Sequence, residues 1–246
     1  RWPLIMTFAY NLTPADPILT TLPVGLVTAL ALLPQRLSTI DRGRSIIASS
    51  QPQDAVYLIS EGWAVSKLSI ETGDTQILDI LGPGSLVGIT RLSNDAQDDY
   101  AAIALESLKA YRIDINRLKT VCAQDEALAR WLSQTLSRQS HRMQRHITAL
   151  GQLPARGRLA FAMLRIVEVA RQAGGDVINE TIRQPMPQEE IGNMLGLTNV
   201  SISKLMSAFR KDGLIDYGRN RIIIRDVEAL TEICGMSLEE PNPTQG

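Results

Sequence analysis

The sequence predicts an α+β protein with an N-terminal antiparallel β jelly roll, one long helix and a C-terminal winged helix-turn-helix. Three observations carry that reading. Residues 37–113 break into short apolar runs between Gly- and Pro-containing turns. Residues 126–150 hold no Gly or Pro and carry an apolar stripe at helical spacing. Residues 187–213 (PQEEIGNMLGLTNVSISKLMSAFRKDG) read as two short helices around a glycine turn. The chain has 246 residues, enough for one large or two ordinary domains, and its apolar fraction of 44% supports a core.

A helix is expected over residues 23–33, ended by Pro34. Runs at 55–59 and 63–68 flank the turn Ser60-Glu61-Gly62, and 75–81 follows the turn at 71–74. Gly82-Pro83-Gly84 makes another turn before 85–88, and runs at 101–105 and 108–113 close the set. These divide the chain into an extension at 1–19, a jelly roll at 20–123, a long helix at 124–150, a winged helix-turn-helix at 151–235 and a tail at 236–246.

The long helix places Leu128, Leu132, Leu136, Met143, Ile147 and Leu150 three, four or seven residues apart, interrupted by Gln139 and Ser140. The sandwich could bury this stripe, or the same helix of a second chain could. The second reading is preferred, because a reader of DNA half-sites works as a two-fold dimer. The expected interface is Leu128, Leu132, Leu136, Gln139, Met143, Ile147 and Leu150. Gly151-Gln152-Leu153-Pro154 reads as a hinge. Leu159, Ala162, Met163, Ile166 and Val169 then mark a helix ended by Gly174-Gly175, and a small strand pair around 177–183 leads to Pro187.

In the helix-turn-helix, Ile191, Met194 and Leu195 face inward from the first helix and Gly196 supplies the turn. Thr198 or Asn199 caps the second helix, whose inward residues are Ile202, Leu205, Met206 and Phe209. Ser201, Ser203, Lys204 and Ser207 fall between them, giving the short donors and the cation that a helix in the major groove uses. Residues 214–217 and 221–224 around Gly218-Arg219-Asn220 form a hairpin, a wing that would bring Arg219 and Arg221 to the sugar-phosphate backbone. Between residues 199 and 225 stand Lys204, Arg210, Lys211, Arg219, Arg221 and Arg225 against Asp212 and Asp216, in a chain of net charge −1. The positive charge is local, as phosphate binding requires.

Other classes fit less well. No apolar run is long enough to span a bilayer, and RWPLIMTFAY lacks the layout of a signal peptide, so a cytoplasmic location is expected. Met6 is read as the natural start, with residues 1–5 from an upstream extension. Cys122 and Cys234 are too few for a disulfide framework or a cysteine-held cluster and read as idle thiols. Residues 237–246, with Pro241 and Pro243, are expected to be disordered. There is no Gly-rich phosphate loop, nucleophile elbow or paired-histidine metal motif, so no catalytic residue and no metal site is assigned. Glu189-Glu190 reads as acids favoured in a first helical turn, and Asp98-Asp99 lies in a loop.

This order of parts resembles the CRP/FNR superfamily of bacterial transcription regulators. The likeness runs from about residue 20 to 234, is strongest at QEEIGNMLGLTNVSISKLMSAFRKDGLI (188–215) and is weaker at the turn GPGSLVG (82–88). The resemblance implies a homodimer, a cyclic-nucleotide-binding-like jelly roll, and binding to a palindromic double-stranded operator tuned by a signal, with RNA polymerase as a further partner. It makes Gln188, Thr198 and Ser201 backbone contacts. Asn199 becomes a reader of adenine, and Val200 and Lys204 stand where relatives read bases with glutamate and arginine. With Ser203, Arg219 and Arg221 these form the expected DNA-binding set.

The departures from the family pattern are specific. Where cyclic-AMP-binding relatives carry Gly-Glu and then Arg-Ser, this chain has Gly88-Ile89 and Asp99-Tyr100. A carboxylate in the phosphate position repels the ligand, so cyclic AMP and cyclic GMP are not expected to bind as in those relatives. The N-terminal cysteines of the oxygen-sensing iron–sulfur members are missing. No cofactor is expected. Haem remains an alternative through His141 or His146, the two histidines of the chain. Their five-residue spacing sets them roughly 140° apart around a helix, so a surface or dimer-interface role is preferred for both. Two alternative functions stay open: a haem- or small-molecule-controlled sensor of the same family, and a winged-helix protein that binds another protein.

Overall fold

A computed structural model describes residues 22, 25–27, 37–49, 54–71, 73–92, 100–172, 181–183 and 185–237. The helix expected over 23–33 is described only at 25–27, which are helical. Asp98, Asp99, Gly174-Gly175 and the tail beyond Ser237 lie outside the described residues. The chain forms two compact units, one of residues 1–62 and 83–140, the other of 63–82 and 141–246.

The first unit is built on antiparallel strands. They are β1 (Leu37–Ile40), β2 (Ser45–Ile47), β3 (Ala55–Glu61), β6 (Leu86–Val87), β7 (Ala101–Ala104) and β8 (Leu108–Asp114). One sheet runs β1-β8-β3-β6, and β2 pairs with β7. Large apolar residues at alternate positions turn one face of β3 and β8 inward: Val56, Leu58, Tyr111 and Ile113 sit in one core cluster. Helix α1 (Ile115–Cys122) starts where the Asp114 carboxylate accepts from the Arg117 amide at 2.8 Å. Asp125 does the same for the Leu128 amide, 3.0 Å away, at the head of α2 (Glu126–Gln152).

Helix α2 corrects the expected dimer stripe. Leu128 and Leu132 are 0% and 4% exposed. They lie with Trp131 in the core cluster that holds Leu26, Val56 and Ile113. The first two positions of the stripe therefore belong to the sandwich, because each buried leucine contributes about 1.5–3 kcal/mol there. Leu136, Met143 and Ile147 stay exposed, the last at 64%, and Leu150 is half-buried. Gln139, half-buried, donates to the Leu86 carbonyl at 3.1 Å.

The second unit contains the hairpin β4 (Ala64–Ser69) and β5 (Thr75–Leu81), the end of α2, and the C-terminal elements. These are α3 (Ala155–Gln172), β9 (Thr181–Arg183), α4 (Gln188–Leu195), α5 (Asn199–Lys211), β10 (Ile215–Gly218), β11 (Arg221–Ile224) and α6 (Val227–Cys234). The small sheet runs β10-β11-β9. Of the strand pair expected around 177–183 the described residues hold one strand, β9, which pairs with β11, and 177–180 lie outside the described residues. Helix α3 buries Leu159, Ala162, Met163, Ile166 and Val169, as their spacing implies, and packs against α6. Burial pushes both thiols up, Cys122 with help from Asp125, which suits inert cysteines.

Candidate nucleic-acid interface

The interface begins with a tight approach between two helices. Pro187 precedes α4 as its N-cap, and Gly196 ends the helix at φ 62°, in the left-handed region where glycine is unstrained. Gly192 matters for a different reason. A Cβ there would lie 2.6 Å from the Leu197 carbonyl oxygen, so glycine alone lets the turn fold back on the helix. The Leu197 amide closes that turn onto the Gly192 carbonyl at 3.0 Å.

Thr198 caps α5 by accepting from the Ser201 amide at 3.2 Å, and the two hydroxyls lie 3.0 Å apart. Ile202, Met206 and Phe209 bury one side of α5, with Leu205 half-buried. At 100° per residue, Val200, Ser203, Lys204, Ser207 and Lys211 form the opposite side, and all are exposed, Val200 at 64%. No acid lies in the first turn, so the positive end of the helix dipole is unneutralised there. Asn199 is exposed beside this row and Gln188 is half-buried at the head of α4.

The wing holds α5 in place. Arg210 stacks on the Tyr217 ring, 3.8 Å from its centroid, bonds the Tyr217 carbonyl, and pairs with Asp216 at 3.0 Å. Arg156 lies over Phe209 and pairs with Asp212 at 2.7 Å. Arg210 is thus spent on structure, although its position in the sequence had grouped it with the DNA-facing cations. In the wing turn Asn220, not Gly218, takes the left-handed conformation, at φ 56°. Gly218 stands in the ladder opposite Arg221, and Arg219, Asn220 and Arg221 are exposed at the tip.

Behind α4 lies a buried ionic cluster that no local pattern announced. The Arg165 guanidinium, 4% exposed, donates to Asp79 through Nε at 2.7 Å and Nη2 at 3.1 Å, and to the Ile80 carbonyl at 2.9 Å. Arg142 reaches Asp79 at 3.2 Å, while Glu168 takes Arg165 at 3.3 Å and Arg145 at 3.1 Å. Burial works to raise the Asp79 carboxyl, but Arg165 and Arg142, with hydrogen bonds from Arg165 and the Ile80 amide, hold it below its ordinary 3.8. The residues come from β5, α2 and α3, too far apart in the chain for a spacing signal.

His146 corrects a second expectation. It is 4% exposed, not at the surface. Its Nδ1 lies 2.8 Å from the Leu78 carbonyl oxygen and its Nε2 2.8 Å from that of Met194, and the ring stacks on Phe161. A carbonyl only accepts, so both contacts are hydrogen bonds when the ring carries both protons. Gln76 also donates to Met194, at 3.0 Å, and Arg158 to Leu195, at 3.2 Å. These donors satisfy the last carbonyls of α4, which a short helix otherwise leaves unpaired. Neither nitrogen of His146 is left for a haem iron, and the cavity beside it, about 10 Å³, holds one water at most. His141 is exposed.

In the first unit Gly88 has φ 81° and its amide donates to the Tyr100 hydroxyl at 3.3 Å. Ile89 points into the core cluster, and Arg91 is buried in the same short helical turn, Ile89–Leu92. Ile89, which the resemblance sets where cyclic-AMP-binding relatives carry a glutamate, is an apolar core residue here. Among the described residues, no group of three His, Cys, Asp or Glu is placed to hold a metal, and no helix is long and apolar enough to cross a membrane.

A polar, cationic outer face on the second helix of a helix-turn-helix, a wing tipped with arginine and a β-sandwich define a DNA-binding transcription regulator. Residues 157–233 match the Crp-like helix-turn-helix domain, and residues 37–125 match the cyclic nucleotide-binding domain. The chain belongs to the CRP/FNR superfamily of transcription regulators. The transcriptional regulatory protein btr of Bordetella pertussis is 27% identical over 214 residues, 87% of each chain. The anaerobic regulatory protein of Pasteurella multocida is 28% identical over 82% of this chain and 72% of its own. The fold is that of FixK2 from Bradyrhizobium japonicum, with TM-score 0.72 and 22% identity over 85% of this chain and 100% of that one.

Proposed function

We propose that this protein acts as a homodimer on a palindromic operator, each α5 entering the major groove of one half-site. The observation that carries the reading is the exposed row Val200, Ser203, Lys204 and Ser207 opposite a buried apolar row. In this reading Lys204 bonds guanine O6 or N7, Val200 meets a thymine methyl, and Asn199 reads adenine. Gln188, Thr198, Ser201, Ser203, Arg219 and Arg221 contact the backbone. The dimer forms through Leu136, Met143 and Ile147, with Gln139 and Leu150 at the edge of the stripe. RNA polymerase is the further partner, and the cytoplasm is where such a regulator works.

The test is Lys204→Ala, assayed on an operator selected from random duplexes and on unrelated DNA. Loss of a base contact lowers specific affinity by about 1–3 kcal/mol and leaves non-specific affinity nearly unchanged. Equal losses on both would mean that Lys204 meets only phosphate. Wild-type binding that ignores salt would replace DNA with a protein partner, because phosphate contacts release counterions.

Cyclic AMP is not the effector in this reading. Ile89 lies in the core and the Tyr100 hydroxyl already takes the Gly88 amide. Calorimetric titration with cyclic AMP or cyclic GMP is expected to give no saturable heat at millimolar ligand. Stoichiometric micromolar binding would overturn this.

A further inference from the structure

The seam between α5 and the wing carries two hydroxyls at the solvent edge. Tyr217 stands opposite Ile222 in the β10–β11 ladder. Residues directly opposite each other in an antiparallel pair share one face of the sheet. Ile222 is buried, so the Tyr217 ring lies on the inward face, the one that packs on α5. Arg210 of α5 stacks on that ring, bonds the Tyr217 carbonyl and pairs with Asp216. These contacts fix the ring along the helix and carry its hydroxyl to the DNA-facing row. There the Tyr217 hydroxyl lies 3.5 Å from Ser207 Oγ, in an exposed contact. Ser207 shares its side of α5 with Val200, Ser203 and Lys204. A full O–H···O hydrogen bond spans only about 2.5–3.0 Å, so this pair is long and each hydroxyl can donate elsewhere. Two oxygens at this separation can both donate to one acceptor placed about 2.7–2.8 Å from each.

We propose that the hydroxyls of Tyr217 and Ser207 together bind one phosphate oxygen at the wall of the major groove, which makes Tyr217 a DNA contact. A phosphate oxygen takes more than one hydrogen bond, and its charge strengthens each. The two donors come from different elements, the helix and the wing, so one phosphate fixes the register of both on the duplex. Arg210 does not touch DNA in this arrangement; it holds the ring that does. The proposal rests on the reading that α5 enters DNA.

The experiment measures the affinity of the full-length protein, Tyr217→Phe, Ser207→Ala and the double variant for the selected operator and for unrelated DNA, across a range of salt. Tyr217→Phe removes the hydroxyl and keeps the ring under Arg210, so its melting temperature should match the wild type. Each single variant is expected to bind about tenfold more weakly, as for one hydrogen bond to a charged group. The loss should be equal on both DNAs, because a phosphate carries no sequence. The slope of log affinity against log salt should stay at the wild-type value, because a hydroxyl displaces no counterion. The double variant should lose less than the product of the two single losses, because both donors share one acceptor. Wild-type affinity in Tyr217→Phe would overturn the contact, and so would a loss confined to the operator or one that only follows a lowered melting temperature. If Lys204→Ala still weakens specific binding in that case, the reading of α5 survives and only the Tyr217 contact fails. If the wild type shows no salt-dependent binding at all, both fail.

Discussion

Replacing Arg165 with methionine is expected to destabilise the protein by about 3–5 kcal/mol, a large share of the roughly 5–15 kcal/mol that holds most proteins folded. The reason is what remains. Arg165 donates to both oxygens of Asp79, to Glu168 and to the Ile80 carbonyl. Its removal leaves Asp79 with Arg142 and leaves Glu168, 4% exposed, with Arg145. The loss measures stranded charge, not the net worth of the pair, since an apolar replacement of all partners at once can be neutral. Asp79→Asn in the Arg165→Met background should therefore recover part of the stability. Urea unfolding reads both variants, and a loss below about 1 kcal/mol for Arg165→Met would show that water or Arg142 compensates fully.

The cluster also sets an acid limit. Asp79 is held below 3.8 in the folded chain, so its contribution is complete above that pH and disappears as pH falls through the folded value. The wild type should show this loss only in acid below about pH 4, and Asp79→Asn should lack it.

Introducing glutamate at both Leu136 and Ile147 is expected to give a folded monomer whose operator affinity is lower by about 10²–10⁴, the usual gain from joining two binding sites. Both residues are exposed in the single chain, so the change adds no buried charge to the fold. Leu132→Glu is the contrasting variant. It places a carboxylate in the sandwich core and should lower the melting temperature before any question of assembly arises. Sedimentation at micromolar protein distinguishes the two. A dimer that survives the Leu136 and Ile147 substitutions would move the interface off α2.

Local chemistry made much of the DNA-reading half legible from the chain alone. The cap at Thr198, the glycine at 196 and the spacing of Ile202, Met206 and Phe209 all act within one or two helical turns, so their signal sits in adjacent residues. The strand runs between 55 and 113 were legible for the same reason, with turns of few residues between them. The stripe on α2 was visible, yet nothing in its spacing separated Leu132 from Leu136. Which apolar residue a sandwich covers depends on where the helix meets strands that lie far away in sequence. The same holds for His146, whose partners are carbonyls of residues 78 and 194, and for Arg165, whose carboxylate partner Asp79 is 86 residues distant. Arg183 and Arg221 stand opposite each other only because β9 and β11 share a register. The sequence by itself thus determined the helices, strands, caps and turns, and with them the class of protein. The tertiary structure decided which side chains meet, because long-range contacts depend on the chain's path through space and leave no period in the sequence.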